Sequence, residues 1–252
     1  MNFLDKILVE KALEVEEMPL EAIKEIKKRP SFYETVKNNP EKVHLLGEIK
    51  RASPSKGDIN TDIDILAQGE KYQTAGVSGI SVLTDEVFFK GSIEDLKAVS
   101  QVVDVPLLCK DFMIDQKQLI RAKNAGASMI LLIVAALSKE KLTELYQAAL
   151  ALDLEVLVET HDAKELVIAQ ALGAKIIGVN NRNLKTFEVT IATSEALASE
   201  PSDVLYISES GFKTAEDIAR VAKAYDAVLV GETLMRAENA KFVAEALQVS
   251  RL

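Results

Sequence analysis

From about residue 41 to its end, this chain alternates short apolar runs with longer amphipathic segments, about eight times over. The runs are HLLGEIK, GISVLTD, VPLLCKD, SMILLIV, LEVLVET, KIIGVNN, VLYISES and AVLVGET, each about as long as a buried parallel strand. Ser92, Asp115, Asp162 and Thr214 stand where helix N-caps belong, and Gly76, Gly126 and Gly173 close the amphipathic stretches just ahead of the next run. Strand then helix, repeated without a break, predicts an α/β chain closed into a (β/α)8 TIM barrel, with a doubly wound open sheet as the competing arrangement. The length of 252 residues and the number of units favour the barrel.

Residues 1–40 read as a helical N-terminal extension. Phe3, Leu4, Ile7, Leu8, Ala12 and Val15 fall at three-to-four-residue spacing. Pro19 suits the first turn of a second helix carrying Leu20, Ile23 and Ile26, and Ser31 to Glu34 matches a capping box. No Gly- or Pro-rich linker divides the chain, so residues 1–252 are expected to form one domain, an extension over 1–40 and a barrel over 41–252.

A net charge of −9 argues against general binding to nucleic acid or to an anionic membrane, because both need a basic footprint. Small anions remain possible ligands, since a local group of Lys and Arg overrides the global sign inside a cleft. The chain has 1 Cys, which rules out an intramolecular disulfide and fits a reducing compartment. With no apolar run of about 18 residues, the expected location is cytoplasmic. There is no metal-ligand spacing, Walker motif or GxGxxG, so neither a metal nor a cofactor is expected.

Barrel enzymes build their sites where the strands end, so the residues closing each run carry the functional signal. The first run ends in Glu48 and Lys50, the third in Lys110 and the fifth in Glu159. The sixth ends in Asn180 with Arg182 beyond, the seventh in Glu209, Ser210 and Gly211, and the eighth in Gly231. Residues two apart share a strand face. Glu48 therefore lies beside Lys50, Lys110 faces the way Leu108 does, Glu159 goes with Leu157 and Glu209 with Ile207. Five ionisable side chains converge on one cavity and must pair or shift their pKa values. The turns holding Ser210, Gly211 and Gly231 follow the last two strands, the usual place for a phosphate cup in such barrels. His44 opens its strand and reads as structural. His161 lies just past Glu159, where it could be a base, but it also precedes the N-cap Asp162 and reads as a loop residue, and Cys109 faces away from the cavity by parity.

The ordered motifs EIKRASPSKGDI, LTDEVFFKGS, LLCKDFMID, ILLIV, VLVETHD, IIGVNNRNL, YISESGF and VGETLM resemble the strand ends of the indole-3-glycerol phosphate synthase family. The resemblance runs from about residue 3 to the end. It implies a lyase of tryptophan biosynthesis that converts 1-(2-carboxyphenylamino)-1-deoxy-D-ribulose 5-phosphate to indole-3-glycerol phosphate by ring closure, decarboxylation and dehydration. It further implies Lys110 as general acid, its pKa pushed toward that task by the second lysine nearby, and Glu159 as the carboxylate that removes a proton and helps expel hydroxide. Glu48 and Glu209 would hold lysines and substrate hydroxyls, and Asn180 would donate a neutral hydrogen bond. Lys50 would meet the leaving carboxylate, and Arg182 that group or the phosphate. RASPSKGD would be a mobile first loop, with Ser53 near the phosphate and Pro54 against the aromatic ring. Phe89, Phe112, Leu131 and Leu184 would form the apolar wall. Glu232 follows the eighth-strand glycine, so its carboxylate should turn away from a phosphate held by backbone N–H groups. With 0 Trp, any aromatic contact from the N-terminal helix falls to Phe3.

The implied partner is a phosphorylated small molecule. Monomer and homodimer both stay open, as does a pathway enzyme as partner. A phosphoribosylanthranilate isomerase is the nearest alternative, but it uses a cysteine at the first strand and an aspartate at the sixth, where this chain has Glu48 and Asn180. A barrel that only binds sugar phosphates would tolerate loss of Lys110 or Glu159, and neither is lost.

Overall fold

A computed structural model describes residues 3–197 and 202–251. Its barrel strands are β1 (Lys42–Ile49), β2 (Gly79–Leu83), β3 (Leu107–Lys110), β4 (Met129–Ile133), β5 (Glu155–Thr160), β6 (Ile176–Asn180), β7 (Leu205–Glu209) and β8 (Ala227–Val230). Each pairs in parallel with the next, and β8 pairs back onto β1 with His44 opposite Ala227 and Gly47 opposite Val230, which closes the barrel. Val249–Ser250 adds a short antiparallel pairing at the start of β1.

Strand parity sorts the core into two layers. Leu46, Leu108, Leu131, Leu157, Ile207 and Leu229 belong to one buried cluster, the barrel interior. Cys109, Val158, Ile177 and Val228, one position away on their strands, pack in the second cluster under the outer helices. Between strands, the side chains of Ser92, Asp115, Asp162 and Thr214 accept hydrogen bonds from the first-turn N–H groups of their helices, satisfying donors that a helix start leaves free.

Two helices of the extension close the barrel from opposite ends. Helix α2 (Phe32–Lys37) plugs the end where strands begin, with Phe32 fully buried against Leu46 and Gly79. Glu155, the first residue of β5, accepts from Ser31 Oγ and from the N–H groups of Phe32 and Tyr33 at 2.7, 2.7 and 3.0 Å. Helix α1 (Phe3–Glu17) lies across the other end, with Phe3, Leu4 and Ile7 facing the cavity there.

The second helix expected from Pro19 does not form: residues 18–31 carry no regular structure. This segment must travel from one end of the barrel to the other. A helix advances about 1.5 Å per residue where extended chain covers about 3.3 Å. Nor is there a surface to bury its apolar face, since Leu20 is 72% and Ile23 59% exposed. The segment is held by polar contacts instead. Arg29 donates to the carbonyls of Ser100, Val103, Val105 and Gly126 at 2.6 to 3.0 Å. Among the described residues, no helix is long and apolar enough to cross a membrane.

Candidate active site

At the strand ends under α1 lies a cavity of about 450 Å³. Lys110, the last residue of β3, extends its ammonium between two carboxylates, 3.1 Å from Glu209 Oε2 and 3.4 Å from Glu159 Oε2. Across the floor, Lys50 Nζ lies 2.5 Å from Glu48 Oε1, so the two charges that share a face of β1 pair with each other. Three carboxylates and two ammonium groups thus crowd one small volume.

Burial opposes charge on Lys110, but Glu209, Glu159 and Glu48 outweigh it and hold the lysine pKa above its ordinary value. This corrects the expectation of a depressed lysine: three nearby carboxylates exceed the cost of burial. Burial likewise disfavours ionised Glu159, yet Lys110, His161 and Asn180 reverse the balance and hold it well below the usual carboxylate range. Glu48 is also lowered, burial being overcome by Lys50 and Lys110. Glu209 goes the other way. Its burial, with Glu159 and Glu48 adding repulsion, outweighs Lys110 and raises its pKa. Its Oε1 is buried without a hydrogen-bond partner, as suits the carboxyl that most readily takes a proton.

Two glycines, Gly178 within β6 and Gly231 just past the end of β8, make room for these side chains. A β-carbon on Gly178 would lie 2.2 Å from Glu209 Oε1, and one on Gly231 would lie 2.2 Å from Glu48 Oε1 and 2.9 Å from Lys50 Nζ. Gly231 has a φ of −118°, and its missing side chain clears space for the Glu48–Lys50 pair.

The rim is polar. Ser210 and Gly211 adopt consecutive left-handed conformations, φ 72° and 98°, and Ser210 Oγ donates to Asn180 Oδ1 at 3.0 Å. For serine this backbone is uncommon and costs energy, as residues held for a function often do. RASPSKGD folds as a small hairpin pairing Ala52–Ser53 with Gly57–Asp58, and Arg182 reaches across to donate to Ser55 Oγ at 2.8 Å. Glu232 is turned to Arg236 at 3.1 Å and Lys56 at 3.9 Å. Ser53, Pro54, Arg182, Ser210, Gly211, Gly231 and Glu232 all line the cavity, as do Phe89, Phe112, Leu131 and Leu184 on its apolar side. The Phe89 and Phe112 rings lie 6.0 Å apart.

On the N-terminal helix Phe3 carries an expectation of an aromatic contact, whereas Leu4, Ile7 and Lys11 carry no expectation for the site. Leu4 and Ile7 complete the apolar wall, and Phe3 meets Phe88 and Phe187 edge to face at 5.5 and 5.2 Å. Lys11 is almost wholly buried, 2.8 Å from Asp111, 3.0 Å from Asp85 and 2.6 Å from Glu14. Those carboxylates overcome its burial and hold its pKa above the lysine norm. A signal for Lys11 exists, since it interrupts the stripe Leu4, Ile7, Lys11, Val15 at helical spacing. His161 does lie in a bend, as expected, but its Nε2 is 3.1 Å from Glu159 Oε1. His44 is structural in its contacts, with Nδ1 2.6 Å from Ser78 Oγ and Nε2 2.9 Å from the Asn39 carbonyl. Among the described residues, no group of three or more His, Cys, Asp or Glu side chains is arranged to hold a metal ion.

A family model described as indole-3-glycerol phosphate synthase matches residues 4–247. A protein of that name from Listeria monocytogenes serotype 4a (strain HCC23) is 60% identical over 252 residues, covering 100% of both chains. Another, from Streptococcus pneumoniae (strain Hungary19A-6), is 52% identical over 251 residues, 99% of this chain and 98% of its own. Among solved structures, a thiamine phosphate pyrophosphorylase from Pyrococcus furiosus superimposes with a TM-score of 0.60 at 15% identity, over 83% of this chain and 94% of that one; this likeness speaks to the barrel alone.

Proposed function

Because the chain belongs to the indole-3-glycerol phosphate synthase family, we propose that Lys110 and Glu159 divide between them the proton transfers of that synthase reaction. The substrate is 1-(2-carboxyphenylamino)-1-deoxy-D-ribulose 5-phosphate. The position of the Lys110 ammonium, between Glu209 and Glu159 on the floor of a largely apolar cavity, supports this reading most directly.

With its pKa raised, Lys110 is fully charged at neutral pH. It stabilises negative charge growing on the ribulose carbonyl oxygen as the aromatic carbon attacks, and it gives up its proton to that oxygen. Carbon dioxide then leaves, returning the bonding pair to the ring. Glu159, held ionised, takes the proton from the carbon next to nitrogen. It can pass a proton to the departing hydroxyl, which leaves as water. Glu209 and Glu48 keep the two lysines in place, and Asn180 supports Glu159.

Phe89, Phe112, Leu131, Leu184 and Pro54 hold the ring and keep water from the reacting carbons. The phosphate lies at the polar rim, against Ser53, the Ser210–Gly211 turn and the backbone at Gly231 and Glu232. Pairing of the Glu232 carboxylate with Arg236 and Lys56 limits its repulsion there. Lys50 meets the leaving carboxylate, and Arg182 reaches toward the phosphate end of the cavity.

The chain has 0 Trp, so an indole product appears as fluorescence over a dark background. Mixing the protein with the carboxyphenylamino substrate is expected to give a time-dependent rise in emission with carbon dioxide released in step. Binding without emission sinks the reading.

A further inference from the structure

We infer that His161 is a positioning residue for Glu159, holding Oε1 from behind the cavity wall while Lys110 holds Oε2 from within. The inference rests on the role proposed for Glu159. His161 Nε2 is 3.1 Å from Glu159 Oε1, and Lys110 Nζ is 3.4 Å from Oε2, so each oxygen of one carboxylate faces its own cation. The imidazole is itself anchored. Its Nδ1 lies 3.0 Å from Glu165 Oε2, which also accepts the His161 backbone N–H at 2.8 Å. Glu165 is fixed in turn by the first turn of its helix, where its N–H donates to the N-cap Asp162 at 2.9 Å.

The ring is not among the residues lining the cavity, so it works through Glu159 rather than on substrate. Its Nε2 is buried and lacks a well-aligned hydrogen bond, which makes the contact with Glu159 an ion pair across a short gap. Such a contact fixes where the carboxylate sits yet lets it turn toward a proton. Burial disfavours the imidazolium, but Glu159 and Glu165 overcome it and push its pKa up to about 10, so the positive charge persists at working pH. The groups facing Glu159 are then Lys110 from β3, Asn180 from β6, Glu48 from β1, Glu209 from β7 and His161 itself. Those facing His161 are Glu159 and, from the helix Ala163–Ala171, Glu165.

The test compares His161→Leu, Glu165→Gln, Glu159→Gln and the double variant His161→Leu/Glu159→Gln in steady-state turnover. For His161→Leu, kcat is expected to fall about ten- to a hundredfold with KM within about twofold, the scale of misplacing a reacting group. The acid limb of its kcat profile should move to higher pH, because Glu159 loses a cation that keeps it ionised. In the Glu159→Gln background the same substitution should cost nothing further. Wild-type turnover in His161→Leu, or an equal loss in both backgrounds, overturns the inference. If His161→Leu does not fold, Glu165→Gln decides, with a smaller loss that must also vanish beside Glu159→Gln.

A second readout needs no turnover and so separates this inference from the function itself. Imidazole NMR of the 2 histidines should show one ring doubly protonated at pH 8 in the wild type and neutral in Glu159→Gln. A ring whose titration ignores Glu159 overturns the inference even in an active enzyme. A protein that makes no indole yet shows the coupling retains the clamp and loses only the synthase reading.

Discussion

Glu209 occupies the space that a side chain at residue 178 would fill: its Oε1 lies 2.2 Å from where the β-carbon would stand on the neighbouring strand. The carboxyl that braces Lys110 thus depends on a missing methyl group on β6. Gly178→Ala is expected to leave the barrel folded and lower kcat by about tenfold to a hundredfold, because Glu209 must shift and carry Lys110 with it. Loss of fold without loss of specific activity in the remaining folded fraction, measured by circular dichroism beside turnover, would sink this account.

Lys110→Ala removes the only cation shared by Glu159 and Glu209 among the described residues. Turnover should fall by about two to four orders of magnitude, the usual contribution of a general acid, with binding of a phosphate-bearing product analogue retained. Unchanged turnover would remove Lys110 from the mechanism.

The barrel and the side chains pointing into it were legible because both rest on period-two parity. Once Leu108 is inside, Lys110 must be inside and Cys109 outside, and the two core layers divide that way. All seventeen residues singled out from the sequence line one cavity. Parity gives direction but not strength. It could not show that three carboxylates would outweigh the burial of Lys110, or that Gly231 clears space for Glu48. The stretch 18–31 misled for a related reason. Its apolar spacing is helical, but the distance it must span and the lack of a surface to cover Leu20 and Ile23 decide its conformation, and neither is a local property. His161 reads as a loop residue because it stands just before the N-cap Asp162, beyond the end of β5, where strand parity no longer gives direction.

Lys11 ties α1 to the ends of β2 and β3 through Asp85 and Asp111, while Arg121 reaches Glu14 at 2.7 Å and Asp111 at 3.7 Å. Lys11→Met leaves two buried carboxylates short of a partner, a change that costs about 3 to 5 kcal/mol in comparable sites. Because Phe3, Leu4 and Ile7 ride on the same helix, KM should rise more than kcat falls. A denaturant titration and steady-state kinetics check both parts. An unchanged KM in a destabilised protein would separate the ion cluster from the substrate wall.

The charge on His161 also makes stability depend on pH. His161 has its folded pKa raised to about 10 from an ordinary 6.5, as burial is overcome by Glu159 and Glu165. For a group raised on folding, the folded chain holds the proton more tightly than the unfolded one. Its contribution is complete below about 6.5 and disappears as pH climbs through about 10. Other groups titrate over the same interval, so the informative quantity is the difference between wild type and His161→Leu. That difference in melting temperature should be largest near pH 6 and shrink steadily toward pH 10, each kcal/mol being worth about 2 to 4 °C in a chain of this size. A gap that stays constant, measured by thermal scans at fixed ionic strength, would mean that the ring contributes by packing alone and that its charge is not held by the two carboxylates.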